Sequence, residues 1–191
     1  MVAALAISIL YRGNTIHKSF KFNYLFNVAL SAIAVILTVT PANALPEQNI
    51  STVVKWAKTR SQLPTLRYNS EAHGYDGTKG NLYFYADVTS EKGTVTKEGI
   101  TVSGDSSIKF TTKNAKAVKL LQNIYTSNIA NDFQKSQYVT KVGRDQYYRG
   151  QKFAYITAAV QDGSSLQIIP LNKLQDFIKN ARYCQTNQCD L

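Results

Sequence analysis

The chain has 191 residues, and its 22 Lys and Arg against 12 Asp and Glu give a formal net charge of +10. At this length a single domain can bury enough surface to fold without help from disulfides or metals. The positive charge is spread along the chain without an Arg/Lys run, which disfavours nucleic acid as a partner.

The first 44 residues have the pattern of a Sec-type signal peptide. They contain three cations and no acidic residue, and an apolar run at 25–39 is followed by small residues at Ala42 and Ala44. Signal peptidase requires small side chains at these two places, so we expect cleavage between Ala44 and Leu45. An uncleaved anchor is the alternative, but 15 apolar residues fall short of the roughly 20 that span a bilayer.

Cleavage at this site predicts an exported protein, periplasmic or extracellular, with no membrane span. The remaining 147 residues, 45–191, carry a net charge of +7 and form one predicted domain. Its only cysteines, Cys184 and Cys189, should pair in an oxidising compartment and close a small loop. A redox role is the alternative, but redox pairs are typically separated by two residues rather than four.

The first half of this domain is predicted to contain one helix and four strands. Apolar residues recur at helical spacing near Trp56, and they alternate with polar residues from Leu82 onward. Three glycines between these segments indicate a surface loop. The predicted bounds are a helix at 49–60, strands at 65–70, 82–89, 94–103 and 107–111, and a loop at 71–80.

The second half is predicted to contain two helices and two or three strands. The predicted helix at 113–127 has an optional continuation through 133. The predicted strands are at 137–142 (or as far as 148), 152–160 and 166–169, and a last helix opens after Pro170 and runs from Leu171 through Ala181. Short connections favour antiparallel neighbours. The order predicts a two-layer α+β domain with a mainly antiparallel sheet of five to seven strands and three helices on one face.

A catalytic interpretation centres on the Gly-rich loop. His73 is the only histidine of the exported part, and Glu71 and Asp76 lie beside it. Histidine is the usual proton carrier near neutral pH. No nucleophile, phosphate-loop, calcium or zinc motif accompanies these residues, so an exposed polar loop is the favoured interpretation and no cofactor or metal is expected.

The grouping of tyrosines on the predicted strands is the one feature of the exported part that stands out from ordinary composition. Tyr83 and Tyr85 share the strand face opposite Leu82 and Phe84. The other candidate binding residues, which combine rings with cations, are Tyr147, Arg149, Lys152 and Tyr155. Aromatic rings interleaved with positive charge suit an anionic polymer. Tyrosine is also an ordinary strand former, so strand packing alone is the favoured interpretation of the pattern.

These observations favour an exported, non-catalytic binding protein of the cell envelope or secreted fraction. Its expected partner is either an anionic polymer or an envelope protein, and the sequence gives no prediction of oligomeric state. A small hydrolase using the His73 loop is the alternative. Secretion-chaperone-like and cystatin-like folds have a similar order of elements, which leaves a chaperone or inhibitor domain as a third hypothesis.

Overall fold

The computed structural model describes residues 45–187 and Cys189. The predicted signal peptide and its cleavage residues Ala42 and Ala44 lie outside this part of the chain, whereas Leu45 packs against the core. The helices are α1 (Ile50–Lys58), α2 (Ala115–Ile124), α3 (Ser127–Lys135) and α4 (Leu174–Asn187), the last preceded by a 3₁₀ turn at Leu171–Lys173. The strands are β1 (Arg67–Asn69), β2 (Gly74–Lys79), β3 (Leu82–Val88), β4 (Val95–Ser103), β5 (Gln137–Val142), β6 (Asp145–Arg149), β7 (Phe153–Val160) and β8 (Gly163–Pro170).

All eight strands form one antiparallel sheet in the order β1-β2-β3-β4-β8-β7-β6-β5. The sheet consists of two successive four-stranded meanders that meet where β4 pairs with β8. Helices α2 and α3 connect β4 in the centre to β5 at the far edge. The α+β class and the antiparallel sheet are confirmed, with eight strands instead of five to seven and four helices instead of three.

Helices α1, α2 and α3 cover one face of the sheet and bury the larger hydrophobic core. Each begins at a side chain that caps the free backbone amides of its first turn: Asn49, Asn114 and Thr126. Their apolar stripes place Trp56, Leu121 and Phe133 in the core. The sheet residues packed in this core include Phe84, Ala86, Ile100, Tyr155, Leu166 and Ile168.

Helix α4 packs on the opposite face, over the second meander only. Leu174 and Ile178 contact a second buried cluster that contains Val142, Ile156 and Ile169. The prediction of helices on one face is therefore wrong for α4. The reason is that successive residues of β7 and β8 are apolar, so these strands present apolar side chains on both faces of the sheet. Both faces of the second meander must therefore be covered.

The Gly-rich segment 71–80 was expected to be a loop, yet most of it forms β2. Gly77 lies so close to the preceding segment that a β-carbon would stand 2.6 Å from the Thr65 carbonyl oxygen. Glycine here permits close approach of two backbones instead of marking a turn.

The predicted strand at 107–111 is absent, and these residues form a turn before α2. Their backbone groups are satisfied by side chains in place of a neighbouring strand. Asp105 accepts from the Ser107 amide, and Asn114 bonds both the Ser107 carbonyl and the Lys109 amide. Polar side chains that bond nearby backbone compete with strand pairing in this way.

The predicted disulfide between Cys184 and Cys189 is present. It lies at the end of α4, and such bonds indicate an oxidising environment. Within residues 45–187, no helix is both long and apolar enough to cross a bilayer.

Candidate binding groove on the open sheet face

The face of β1–β4 opposite α1–α3 contributes no side chain to either hydrophobic core of the described chain. We call this surface the open face. Strand registers place the following residues on it: Arg67, Asp76, Thr78, Tyr83, Tyr85, Asp87, Lys97, Gly99 and Thr101. It is therefore a polar and aromatic surface bordered on one side by α4.

Two tyrosines form the centre of the open face. The rings of Tyr83 and Tyr85 stack with centroids 5.8 Å apart and planes 29° from parallel. Tyr85 pairs across the strands with Gly99, and its ring lies so close over that residue that a β-carbon there would overlap it. The ring consequently lies flat across β4.

Polar contacts hold the two rings in place. The Tyr83 hydroxyl donates to Asp76 at 3.3 Å, and Asp76 also accepts from the Asn69 amide at 3.1 Å. Lys97 lies 5.5 Å from the Tyr85 ring centre and 2.9 Å from the Asp87 carboxylate. Burial, followed by the Asp87 charge, raises the pKa of Tyr85, so the hydroxyl is protonated and remains a hydrogen-bond donor at neutral pH.

A cavity of about 460 Å³ continues from Lys97 to the side of α4. Ile156, Tyr147 and Phe177 form its apolar lining, and the polar lining includes Lys97, Asp145, Gln167 and Asn180. Burial raises the pKa of Asp145, although Arg144 and Lys97 oppose the rise. Apolar walls with a few polar groups are typical of a ligand pocket. We refer to the open face and this cavity together as the groove.

The structure separates the candidate binding residues that the sequence grouped together. Tyr83 and Tyr85 lie together on the open face, as their alternation indicates. Tyr147 is only 2% exposed beneath α4, and Tyr155 is fully buried on the other face of the sheet. The expectation that Tyr147 and Tyr155 lie on one surface is therefore corrected. Tyr155 pairs with Tyr148 of β6, and Tyr147, the neighbour of Tyr148 along that strand, points to the opposite face.

Arg149 and Lys152 are exposed and line a shallow cavity of about 430 Å³ with Phe153 and Leu171. Of the six candidate binding residues, only Tyr83 and Tyr85 belong to the open face, and Tyr147 contributes to the lining beside it. The two cations form no part of the groove.

The candidate catalytic residues also lie apart. His73 and Glu71 are exposed in the turn between β1 and β2, where His73 adopts a positive φ of 49°. Asp76 lies on the open face and lines a cavity of about 520 Å³ with Arg67, which neither His73 nor Glu71 lines. Within the described residues, no cluster of three or more His, Cys, Asp or Glu side chains is arranged to hold a metal.

Sequence reasoning missed the partners that complete the groove. Lys97 and Gly99 alternate along β4 with Glu98 and Ile100, which face the larger core, so the period of two was a usable signal for their face. Gln167 and the α4 side chains could not be found in this way, because the β4–β8 pairing joins segments some 65 residues apart.

Comparison of the chain with protein-family models, curated proteins and solved structures finds no significant match.

Proposed function

We propose that the protein is an exported binding protein that holds a segment of an anionic envelope polysaccharide in the groove, without chemical conversion. The observation that carries the proposal is the Tyr85 ring, which lies flat over Gly99 with its neighbour Tyr83 stacked beside it. A broad aromatic surface of this kind offers large contact area at low conformational cost.

The groups around the rings suit a polyhydroxylated ligand. A sugar ring presents C–H groups on its faces and hydroxyls at its edge, so an aromatic platform with donors and acceptors around it is complementary. Asp76, Thr78, Thr101 and Gln167 surround the two tyrosines on the same side of the sheet. The groove is elongated, because the open face continues into the cavity beside α4. An elongated site suits a segment of a polymer.

Charge supports an anionic ligand only moderately. The groove carries three cations (Arg67, Lys97, Arg144) and three carboxylates (Asp76, Asp87, Asp145), and Lys97 is already paired with Asp87. The exported part, residues 45–191, carries a net charge of +7, which attracts polyanions at long range. We therefore expect stacking and hydrogen bonds to provide most of the affinity, and salt to weaken it modestly.

Retention on immobilised polygalacturonate and on a neutral glucan tests the proposal. We expect wild type to bind polygalacturonate in preference, and Tyr85→Ala to weaken binding roughly tenfold, since one lost stacking contact is worth about 1–3 kcal/mol. Gly99→Ala keeps both tyrosines but displaces the Tyr85 ring, so it should also weaken binding. Tyr183→Ala removes an exposed ring on α4 that does not line the cavity and is the matched control.

Three results would contradict the proposal. Equal retention of wild type, Tyr85→Ala and Gly99→Ala would show that the groove is not the binding surface. Absence of retention on polygalacturonate would exclude the anionic polysaccharide, and preference for the neutral glucan would exclude the role of charge.

A further inference from the structure

Strand β5 forms one edge of the sheet, and its outer side is unpaired within the described chain. The opposite edge, β1, has three residues, whereas β5 has six. Exposed large hydrophobic side chains number four among the described residues, and two of them, Tyr138 at 59% and Val139 at 39%, lie on β5. A long edge with exposed apolar residues is a ready template for another strand.

The sequence of β5 lacks most of the features that prevent the edge strands of two sheets from associating. It reads Gln-Tyr-Val-Thr-Lys-Val, which combines high strand propensity with a single charge and no proline. Edges that avoid association usually have inward charges, prolines or very short strands. Two protective features are present: the charged Lys141, and a register shift between Tyr138 and Thr140 that makes Val139 a bulge residue.

This bulge makes β5 complementary to itself. Tyr138 pairs with Tyr148 of β6 and Lys141 pairs with Gln146, two positions along, so Tyr138 and Lys141 lie on the same face. Without the bulge, residues three apart would lie on opposite faces. When two copies of β5 run antiparallel about the bulge, Tyr138 of each copy lies opposite Lys141 of the other, and Gln137 lies opposite Val142.

We propose that β5 pairs antiparallel with β5 of a second copy of this chain about a two-fold axis between Val139 and Thr140, at the bulge. This register opposes no like charges and places a cation beside each exposed tyrosine ring, a favourable pair. A two-fold contact requires a self-complementary patch, which the β5 edge provides. The inference is independent of what the groove binds.

Sedimentation equilibrium of the purified protein over a range of concentrations tests the dimer and its register. We expect a concentration-dependent dimer for wild type. Tyr138→Lys places a lysine opposite Lys141 of the other copy. The two-fold symmetry brings this like-charge pair into the interface twice, so dimerisation should weaken about tenfold. The double variant Tyr138→Lys with Lys141→Glu should restore it. Tyr68→Lys adds a charge on β1, at the opposite edge of the sheet, and should leave the dimer unchanged.

Far-UV circular dichroism checks that each variant is folded. If Tyr138→Lys is not folded, Val139→Lys provides the second test, since it places one lysine of each copy next to the axis, diagonally across from the other. A wild-type monomer at all concentrations would overturn the proposal. A dimer that persists in the folded lysine variant, or one that the double variant fails to restore, would equally overturn the pairing of β5 with itself.

Discussion

Replacing Glu98 by Gln is expected to stabilise the protein strongly at pH 9 and to change its stability little at pH 4. Glu98 lies on β4 in the larger core and is fully buried. Its Oε2 accepts from the Tyr125 hydroxyl at 3.1 Å, and no described residue pairs with its Oε1. A carboxylate in such surroundings is costly when it is charged.

Burial raises the pKa of Glu98 to about 8, and the hydrogen bond from Tyr125 only partly opposes this. The unfolded chain releases the proton near pH 4.5, whereas the native state keeps it until about pH 8. The native state therefore binds more protons between these values, and stability falls as pH rises through this window. At about 1.4 kcal/mol per pH unit, the loss is on the order of 5 kcal/mol above pH 8.

Urea unfolding at pH 4 and pH 9 measures this effect. The Gln variant removes the titrating group, so its free energy of unfolding should exceed that of wild type at pH 9 by several kcal/mol and nearly match it at pH 4. Glu91→Gln, at an exposed position, is the control and should follow wild type at both values. If the free energy of unfolding of Glu98→Gln equals that of wild type at both pH values, Glu98 is not a buried neutral acid.

Replacing Asp132 by Ala is expected to cost about 2–4 kcal/mol of stability. The Asp132 carboxylate on α3 accepts the amide of Gln151 at 2.7 Å and those of Lys152 and Phe153 at 3.4 Å each. It also accepts the hydroxyl of the buried Tyr155 at 2.8 Å. Alanine leaves all four donors without this partner, and the Tyr155 hydroxyl remains in the core.

Asp132→Asn should cost less, because its amide oxygen can still accept from the turn. Asp176→Ala is the control: this exposed carboxylate forms a surface ion pair with Lys173 at 3.7 Å, and such pairs contribute little. Thermal unfolding at neutral pH compares the three variants. A melting temperature for Asp132→Ala equal to that of Asp176→Ala would contradict the role assigned to Asp132.

The sequence predicted elements whose pattern is local. The strand at Leu82–Val88 and the face shared by Tyr83 and Tyr85 follow from an alternation that the sheet preserves. The Gly-rich segment was misassigned because glycine marks both turns and close backbone contacts, and only the position of Thr65 distinguishes them.

Features that depend on distant residues were not predictable. Tyr155 appeared to be a surface ring because nothing in its neighbourhood reveals that α3 covers it. Glu98 alternates with Lys97 along β4, so its face follows from the period of two. Its complete burial depends on the helices packed over that face, which the local sequence does not reveal. The groove requires α4 on the second face, which neither a helical period nor a turn signal indicates.

The most direct test of the central claim is a titration of ¹⁵N-labelled protein with oligogalacturonate, followed by backbone amide chemical shifts. The account predicts that the largest changes occur at open-face and groove residues, such as Tyr85, Gly99, Gln167 and Asn180. Changes confined to α1–α3, or no changes at saturating ligand, would contradict it.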